Sequence, residues 1–302
     1  MKRGILLGLI VLVFIAGCKG GDDTAKIESV FEGGTQGLIA TFEPFGIEES
    51  GVFAIFDTEN FPIEIVLKNK GEEDVDVGDA VISLRGINLD DFRGIVSQNL
   101  TNTEKIDKET ETNPQGGEEI IDFTPQQDAQ YKLNVTGFFQ PSVFALVDYN
   151  YKTHVLVPQV CYKEDVRDTS ICDLKGRKDF FVSGAPVTVT TVEQDAAGRG
   201  IIVLTITLNN AGGGRVTLPS EDLDSRFDQV AFAMNTDPDK WECRSGGREN
   251  EGRFVDGKMT VICKLKEALA EDTLFTKQVE LTLNYRYRSI IQQTIKIKES
   301  AE

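Results

Sequence analysis

The chain has 302 residues and a formal net charge of −17 at pH 7, from 49 acidic and 32 basic side chains and one histidine. So acidic a chain excludes binding that rests on neutralising phosphates, so no nucleic-acid partner is expected, and it is repelled by anionic lipid headgroups. Forty per cent apolar residues suffice for packed cores, and the length suits two domains.

The N-terminus has the parts of an export signal. Lys2 and Arg3 precede an apolar run over residues 5–16, interrupted only by Gly8. That run is short for a bilayer span, which takes about 20 residues, and fits a signal-peptide core. It ends in Ile15-Ala16-Gly17-Cys18, followed by Lys19-Gly20-Gly21-Asp22-Asp23. Two small residues before a cysteine resemble the lipobox of lipoproteins. The resemblance implies that the Cys18 thiol takes a diacylglycerol and becomes the new N-terminus. Residues 1–17 are then the signal peptide, and residues 18–32 the lipid anchor and flexible tether. The membrane is a partner through that lipid, and the location is extracytoplasmic, at the cell surface or in the periplasm. An uncleaved signal helix is the competing reading.

Beyond residue 32 the pattern is that of strands. Ile63, Ile65 and Leu67 alternate with Glu64 and Lys68; residues 203–208 read V-L-T-I-T-L; Val279, Leu281, Leu283, Tyr285 and Tyr287 share one face over nine residues. Helical periodicity is nearly absent, with short candidates only at 221–227 and 266–271. Residues 99–119 are polar and read as a long exposed insertion. Asn99 and Asn134 head sequons, Asn99-Leu100-Thr101 and Asn134-Val135-Thr136, and are candidate glycosylation sites.

Four cysteines follow Cys18: Cys161, Cys172, Cys243 and Cys263. An even number in an exported chain favours disulfides, and sequence neighbours pair naturally as Cys161–Cys172 and Cys243–Cys263. The first bond would stiffen a connector over residues 163–182. The second, beside Trp241, spans too little sequence for an inter-sheet bridge and is expected to join neighbouring segments. Free thiols or a metal site are the alternative, but no CxxC spacing occurs and His154 is the sole histidine, so no metal site is assigned.

The chain repeats itself. Residues 65–71, I-V-L-K-N-K-G, match residues 206–212, I-T-L-N-N-A-G; each ends a strand in Asn-x-Gly, a turn signal. Tyr149-Asn150-Tyr151 matches Tyr285-Arg286-Tyr287, and each is read as the start of a hairpin continuing into an apolar strand. Two units follow, residues 33–162 and 183–300. The strands over residues 63–71 and 201–216 and the Tyr-x-Tyr segments resemble the immunoglobulin-like surface domains labelled CARDB, found in archaeal and bacterial envelope proteins. The resemblance implies an all-β chain of two immunoglobulin-like β-sandwich domains in tandem after the lipoprotein signal peptide. It implies adhesion, spacing or partner binding and supplies no catalytic residues.

No catalytic constellation emerges. Gly252 to Lys258 has GxxxxGK spacing, but Met259 follows where a phosphate loop needs Ser or Thr, and Asp256-Gly257 reads as a hairpin turn. Acidic clusters at Asp74, Asp76 and Asp79, at Asp90 and Asp91, at Glu221, Asp222 and Asp224, and at Asp237 and Asp239 are read as solvated loops or calcium ligands, and none matches an EF-hand. The expectation is a structural, adhesive or partner-binding lipoprotein with no cofactor and no catalysis, its partner an envelope protein or glycan. The alternatives are a subunit of an envelope transport or assembly complex, and a polysaccharide-acting enzyme or its carbohydrate-binding accessory.

Overall fold

A computed structural model describes residues 29–300 apart from 220, 224 and 225. The signal segment, Cys18 and Asp224 lie outside the described residues. Within them the chain is all-β. The only helical turns are two 3-10 turns, Leu89–Asp91 and Pro238–Lys240. Residues 266–271, a helix candidate in sequence, form a loop. Six residues cannot repay helix nucleation without a packed face.

Two long strands organise the molecule. Ser142–Lys163 pairs antiparallel with Leu274–Lys298 along almost its whole length, from Ser142 opposite Thr294 to Lys163 opposite Leu274. Shorter strands widen this ribbon. Ala80–Arg85 adds to the first half of one strand. Arg215–Thr217 and Gln229–Met234 add to the middle of the other. Val52–Phe56 adds parallel to its C-terminal end. Three further sheets lie outside the ribbon, the smallest made of Asn60–Phe61, Ala129–Tyr131 and Phe92–Arg93; the other two carry buried strands. One has the order Leu38–Phe42, Glu64–Asn69, Glu118–Asp122; the other contains Val187–Gly198, Ile201–Asn210, Lys258–Leu265 and Trp241–Ser245 in that order. Ile63, Ile65 and Leu67 in one, and Leu204, Ile206 and Leu208 in the other, are fully buried. Period-two alternation puts these residues on one face of each strand.

The sequence repeat meets itself in the ribbon. Tyr149 lies opposite Tyr287 and Tyr151 opposite Tyr285. All four rings are at most 2 % exposed. They pack as tilted and edge-on neighbours, with centroids 5.5–6.5 Å apart. That spacing suits the ring quadrupoles. Each copy ends in the same polar device. The Tyr151 hydroxyl donates to Asn69 Oδ1 at 3.0 Å, and that of Tyr287 to Asn210 Oδ1 at 3.2 Å. Asn69 Nδ2 then donates to Glu73 O at 2.7 Å, and Asn210 Nδ2 to Gly214 O at 2.9 Å.

One sequence expectation needs correction. The Tyr-x-Tyr segments do not begin hairpins; both strands run straight on, and the ribbon pairs one strand from each expected unit. Neither Lys152-Thr153 nor Arg288-Ser289 offers the Gly, Asn or Pro that a tight turn needs. Residues 99–119 are exposed or half-buried except at two positions, which tie them to the body. Ile106, 1 % exposed, exchanges both backbone hydrogen bonds with Val75. Buried Asn102 accepts from Ala80 N and donates to Asp76 O and Glu104 O. One apolar residue and one fully satisfied amide pin the segment to the body.

Candidate functional site: a cleft at one end of the ribbon

The ribbon carries a bulge near its end. Pairing runs from Val157 opposite Val279 to Val160 opposite Lys277, so Pro158 and Gln159 together face one residue. Pro158 has no N–H to give a ladder, and a bulge accommodates it. The extra residue changes which side chains face inward. Val160 and Tyr162 take the face of Val157, and Cys161 and Lys163 take the other.

Tyr162 therefore sits directly opposite Phe275. The rings stack with centroids 5.0 Å apart and planes 6° from parallel. Tyr162 is buried, whereas Phe275 is 44 % exposed. Trp241 meets Tyr162 edge-on at 6.4 Å. The indole Nε1 and the Tyr162 hydroxyl are both buried; no third group pairs with either, and the indole N–H acts on the hydroxyl. Burial pushes the Tyr162 hydroxyl up to about 12, with the nearby Asp237 carboxylate adding to it.

Tyr162 and Phe275 form the floor of a cleft of about 400 Å³, with Trp241 behind Tyr162. Leu265, Ala268, Leu269 and Ala270 supply an apolar wall. The rim alternates in charge: Asp237, Asp239 and Glu267 against Lys240, Lys266 and Lys277. Asp237 stands in left-handed backbone, φ 50°. Its carboxylate accepts Lys277 Nζ at 2.7 Å and has Lys240 Nζ at 3.7 Å. The hydrogen bond from Lys277 holds its pKa below the ordinary carboxylate value.

Both cysteine pairs brace this end. Cys161 and Cys172 are bonded with Cα atoms 5.8 Å apart, and Cys243 and Cys263 with Cα atoms 4.0 Å apart. Cys243 and Cys263 face each other on adjacent strands, as their short separation suggested, and Trp241 lies two residues along on the same face. The Cys161–Cys172 bond closes a loop at the ribbon's tip. Lys163, 2 % exposed, lies inside that loop. Its ammonium donates to Asp168 O, Ser170 O and Cys172 O at 2.9, 2.7 and 2.7 Å. Three carbonyls satisfy all three donors of a charge that burial would otherwise penalise. From the strand Val187–Gly198, the Gln194 side chain holds both backbone groups of Cys161.

The remaining sequence candidates are dispersed. Asn99 is exposed on the strand Asn99–Thr101, and Asn134 is exposed in a loop. His154 Nε2 lies 3.1 Å from Glu73 Oε2, with Lys152 on the same carboxylate. Asp74 is taken by Lys105 Nζ and by the Lys108 amide. Among the described residues no group of three or more His, Cys, Asp or Glu side chains is arranged to hold a metal, and no helix is long and apolar enough to cross a membrane. Gly252 to Lys258 forms the hairpin expected of it: Val255 and Lys258 exchange backbone hydrogen bonds, with Asp256 and Gly257 at positive φ between them. The cleft itself joins residues far apart in sequence and is invisible to local pattern. Its only sequence signal is the lone tryptophan beside a cysteine. Comparison with protein-family models, with curated proteins and with solved structures gives no match.

Proposed function

We propose that this chain is an exported lipoprotein, held to the outside of a membrane by a lipid on Cys18. Its two tandem immunoglobulin-like sandwiches present a partner-binding surface and perform no catalysis. The observation that carries the reading is the ribbon. One pair of strands belongs to both copies of the repeat, which makes a stiff body with a braced cleft at its tip. Stiffness and pre-formed surfaces suit a binding or spacing role, because little ordering is left to offset on association. Two disulfides support an oxidising exterior.

The entry of the chain supports the same reading. The Glu72 carboxylate accepts the amides of Glu32 and Gly33 at 2.9 Å each, and that of Gly184. The chain is thus pinned close to where the tether ends. Residues 18–28, fully extended, reach about 36 Å. That length lets the body stand clear of the lipid surface.

The test is lipidation and retention. In cells that process lipoproteins, the wild-type chain takes up a labelled fatty acid and fractionates with membranes. Cys18→Ser takes up none and is released. A Cys18→Ser chain that stays in the membrane contradicts the proposal in favour of an uncleaved helix.

A second reading, a subunit of an envelope assembly, is favoured by one surface. At the opposite end of the ribbon Phe56 and Phe138 both flank Lys298, and Ile47, Phe56 and Phe138 are exposed. Contiguous exposed apolar side chains mark contact surfaces. Co-purification of fixed companions from detergent extracts, lost on Phe138→Asp, distinguishes this reading from a free-standing protein.

A further inference from the structure

We propose that the ribbon-tip cleft binds a sugar ring of a neutral glycan. This rests on the reading of the chain as a non-catalytic binding protein and names the chemistry of its partner.

Three features of the cleft carry the inference. The first is the platform. Phe275 keeps 44 % of its surface exposed although Leu274 and Phe275 end a buried ribbon. Tyr162 backs it in parallel contact at 5.0 Å, and Tyr162 is in turn held by Trp241. The ring cannot fold inward, so it offers a fixed apolar face. Sugar rings have such a face, built from axial C–H groups, and it packs on aromatic planes.

The second is the rim. Three carboxylates and three ammonium groups surround that platform, and they balance in charge. A cleft for an anion or a cation would carry an excess of one sign. A balanced rim dense in both donors and acceptors suits a neutral ligand that itself carries both along its edge, which describes a ring of hydroxyl groups. Asp237, Lys240 and Lys277 pair with one another, but an aliphatic ligand would cover Asp239, Lys266 and Glu267 without pairing them, at a cost of roughly 1–3 kcal/mol for each that is desolvated.

The third is the floor. Tyr162 lines it with Leu265 and Leu269, and Trp241 stands edge-on behind Tyr162, fixing the ring from outside the cleft. The volume of about 400 Å³ lies within the range of small-molecule sites, about 300–1,000 Å³.

The test uses the full chain in detergent, so that it does not depend on whether Cys18 carries a lipid. Trp241 is the only tryptophan and reports on the floor through its edge contact with Tyr162. Neutral oligosaccharides of glucose, mannose and N-acetylglucosamine are titrated, with fluorescence and calorimetry read in parallel so that a silent indole hides nothing. At least one series gives saturable binding. Phe275→Ala weakens it about tenfold, the equivalent of one lost ring contact. Asp237→Asn weakens it as well, and Phe138→Ala at the opposite end leaves it unchanged. Melting curves confirm that each variant is folded. Absence of saturable binding across all three series overturns the proposal. So does binding that survives Phe275→Ala, and so does a cleft that takes up an apolar dye in competition with no sugar.

Discussion

Tyr151 gives its hydroxyl proton to Asn69 across 3.0 Å, and Asn69 spends its other side-chain atoms on the turn that follows it. Its Oδ1 also accepts the Gly71 amide, and its Nδ2 donates to Glu73 O and Ile106 O. Tyr287 and Asn210 repeat the relationship with fewer bonds, at a half-buried site. Asn69→Ala should therefore cost more than Asn210→Ala, about 2–4 kcal/mol against about 1–2 kcal/mol, because buried partners are left unpaired. Urea denaturation measures both. Equal losses would mean that the two copies do not differ in this way.

The glycines of the same turns make a related prediction. A Cβ on Gly71 would stand 2.3 Å from the Tyr151 hydroxyl, and one on Gly212 would stand 2.5 Å from that of Tyr287. Both alanine variants should lose about 2–4 kcal/mol from overpacking and a displaced hydrogen bond. Tyr287→Phe combined with Gly212→Ala should be less destabilised than the sum, since the removed oxygen is the nearest clash. Strict additivity in a double-mutant cycle would argue against it.

One ion pair lies within the ribbon. Arg288 Nε and Nη2 each donate to the Asp148 carboxylate at 2.5 Å, and Arg286 stands 3.6 Å away. Arg288 reaches solvent, and the Asp148 side chain is only 6 % exposed. Removing the arginine strands a buried carboxylate, so Arg288→Ala should cost about 2–4 kcal/mol. Asp148→Ala should cost about 1–2 kcal/mol, because the guanidinium can turn to water. Thermal melts of the two variants decide the order.

Alkaline pH should unfold the protein in one step. Burial pushes up the hydroxyl pKa of each of the six tyrosines, Tyr287 to about 12 and Tyr149 and Tyr285 further still. The unfolded hydroxyl ionises near 10.0. The folded state thus holds protons that the unfolded state loses. Stability is fully present below pH 10 and falls as pH rises through about 12. Tyrosinate absorbance should rise together with loss of the β-sheet circular dichroism signal. Graded ionisation with the sheet signal intact would show that the rings are more open than described.

The ribbon-tip loop should owe its rigidity to Lys163. The Arg167 side chain is 87 % exposed and stands inside the disulfide-closed loop. Trypsin should cut slowly after Arg167 in the wild type. In Lys163→Met three carbonyls lose their donor, and cutting there should accelerate about tenfold or more, as opening becomes about 1.4 kcal/mol easier. Unchanged cutting would assign the rigidity to the disulfide alone.

Local pattern made part of this molecule legible. Alternation over residues 279–287 marked a half-buried strand, Asn-x-Gly marked two equivalent turns, and the cysteine spacing marked the two bonded pairs. The ribbon was not legible, because Tyr149 and Tyr287 are far apart in sequence and their pairing register is a tertiary property. The sequence did not reveal that Pro158 would create a bulge and turn Tyr162 toward Phe275, since a bulge is defined by the partner strand as much as by the proline. Lys163 reads as a surface charge until the loop around it is known. Trp241 and its disulfide drew notice, but not the cleft they support.

The account rests most heavily on Cys18, and the intact mass of the chain extracted from membranes tests it most directly. The predicted species begins at Cys18, carries a diacylglycerol, and is lighter by four hydrogen atoms for its two disulfides. A mass that retains residues 1–17 and no lipid would contradict the lipoprotein reading.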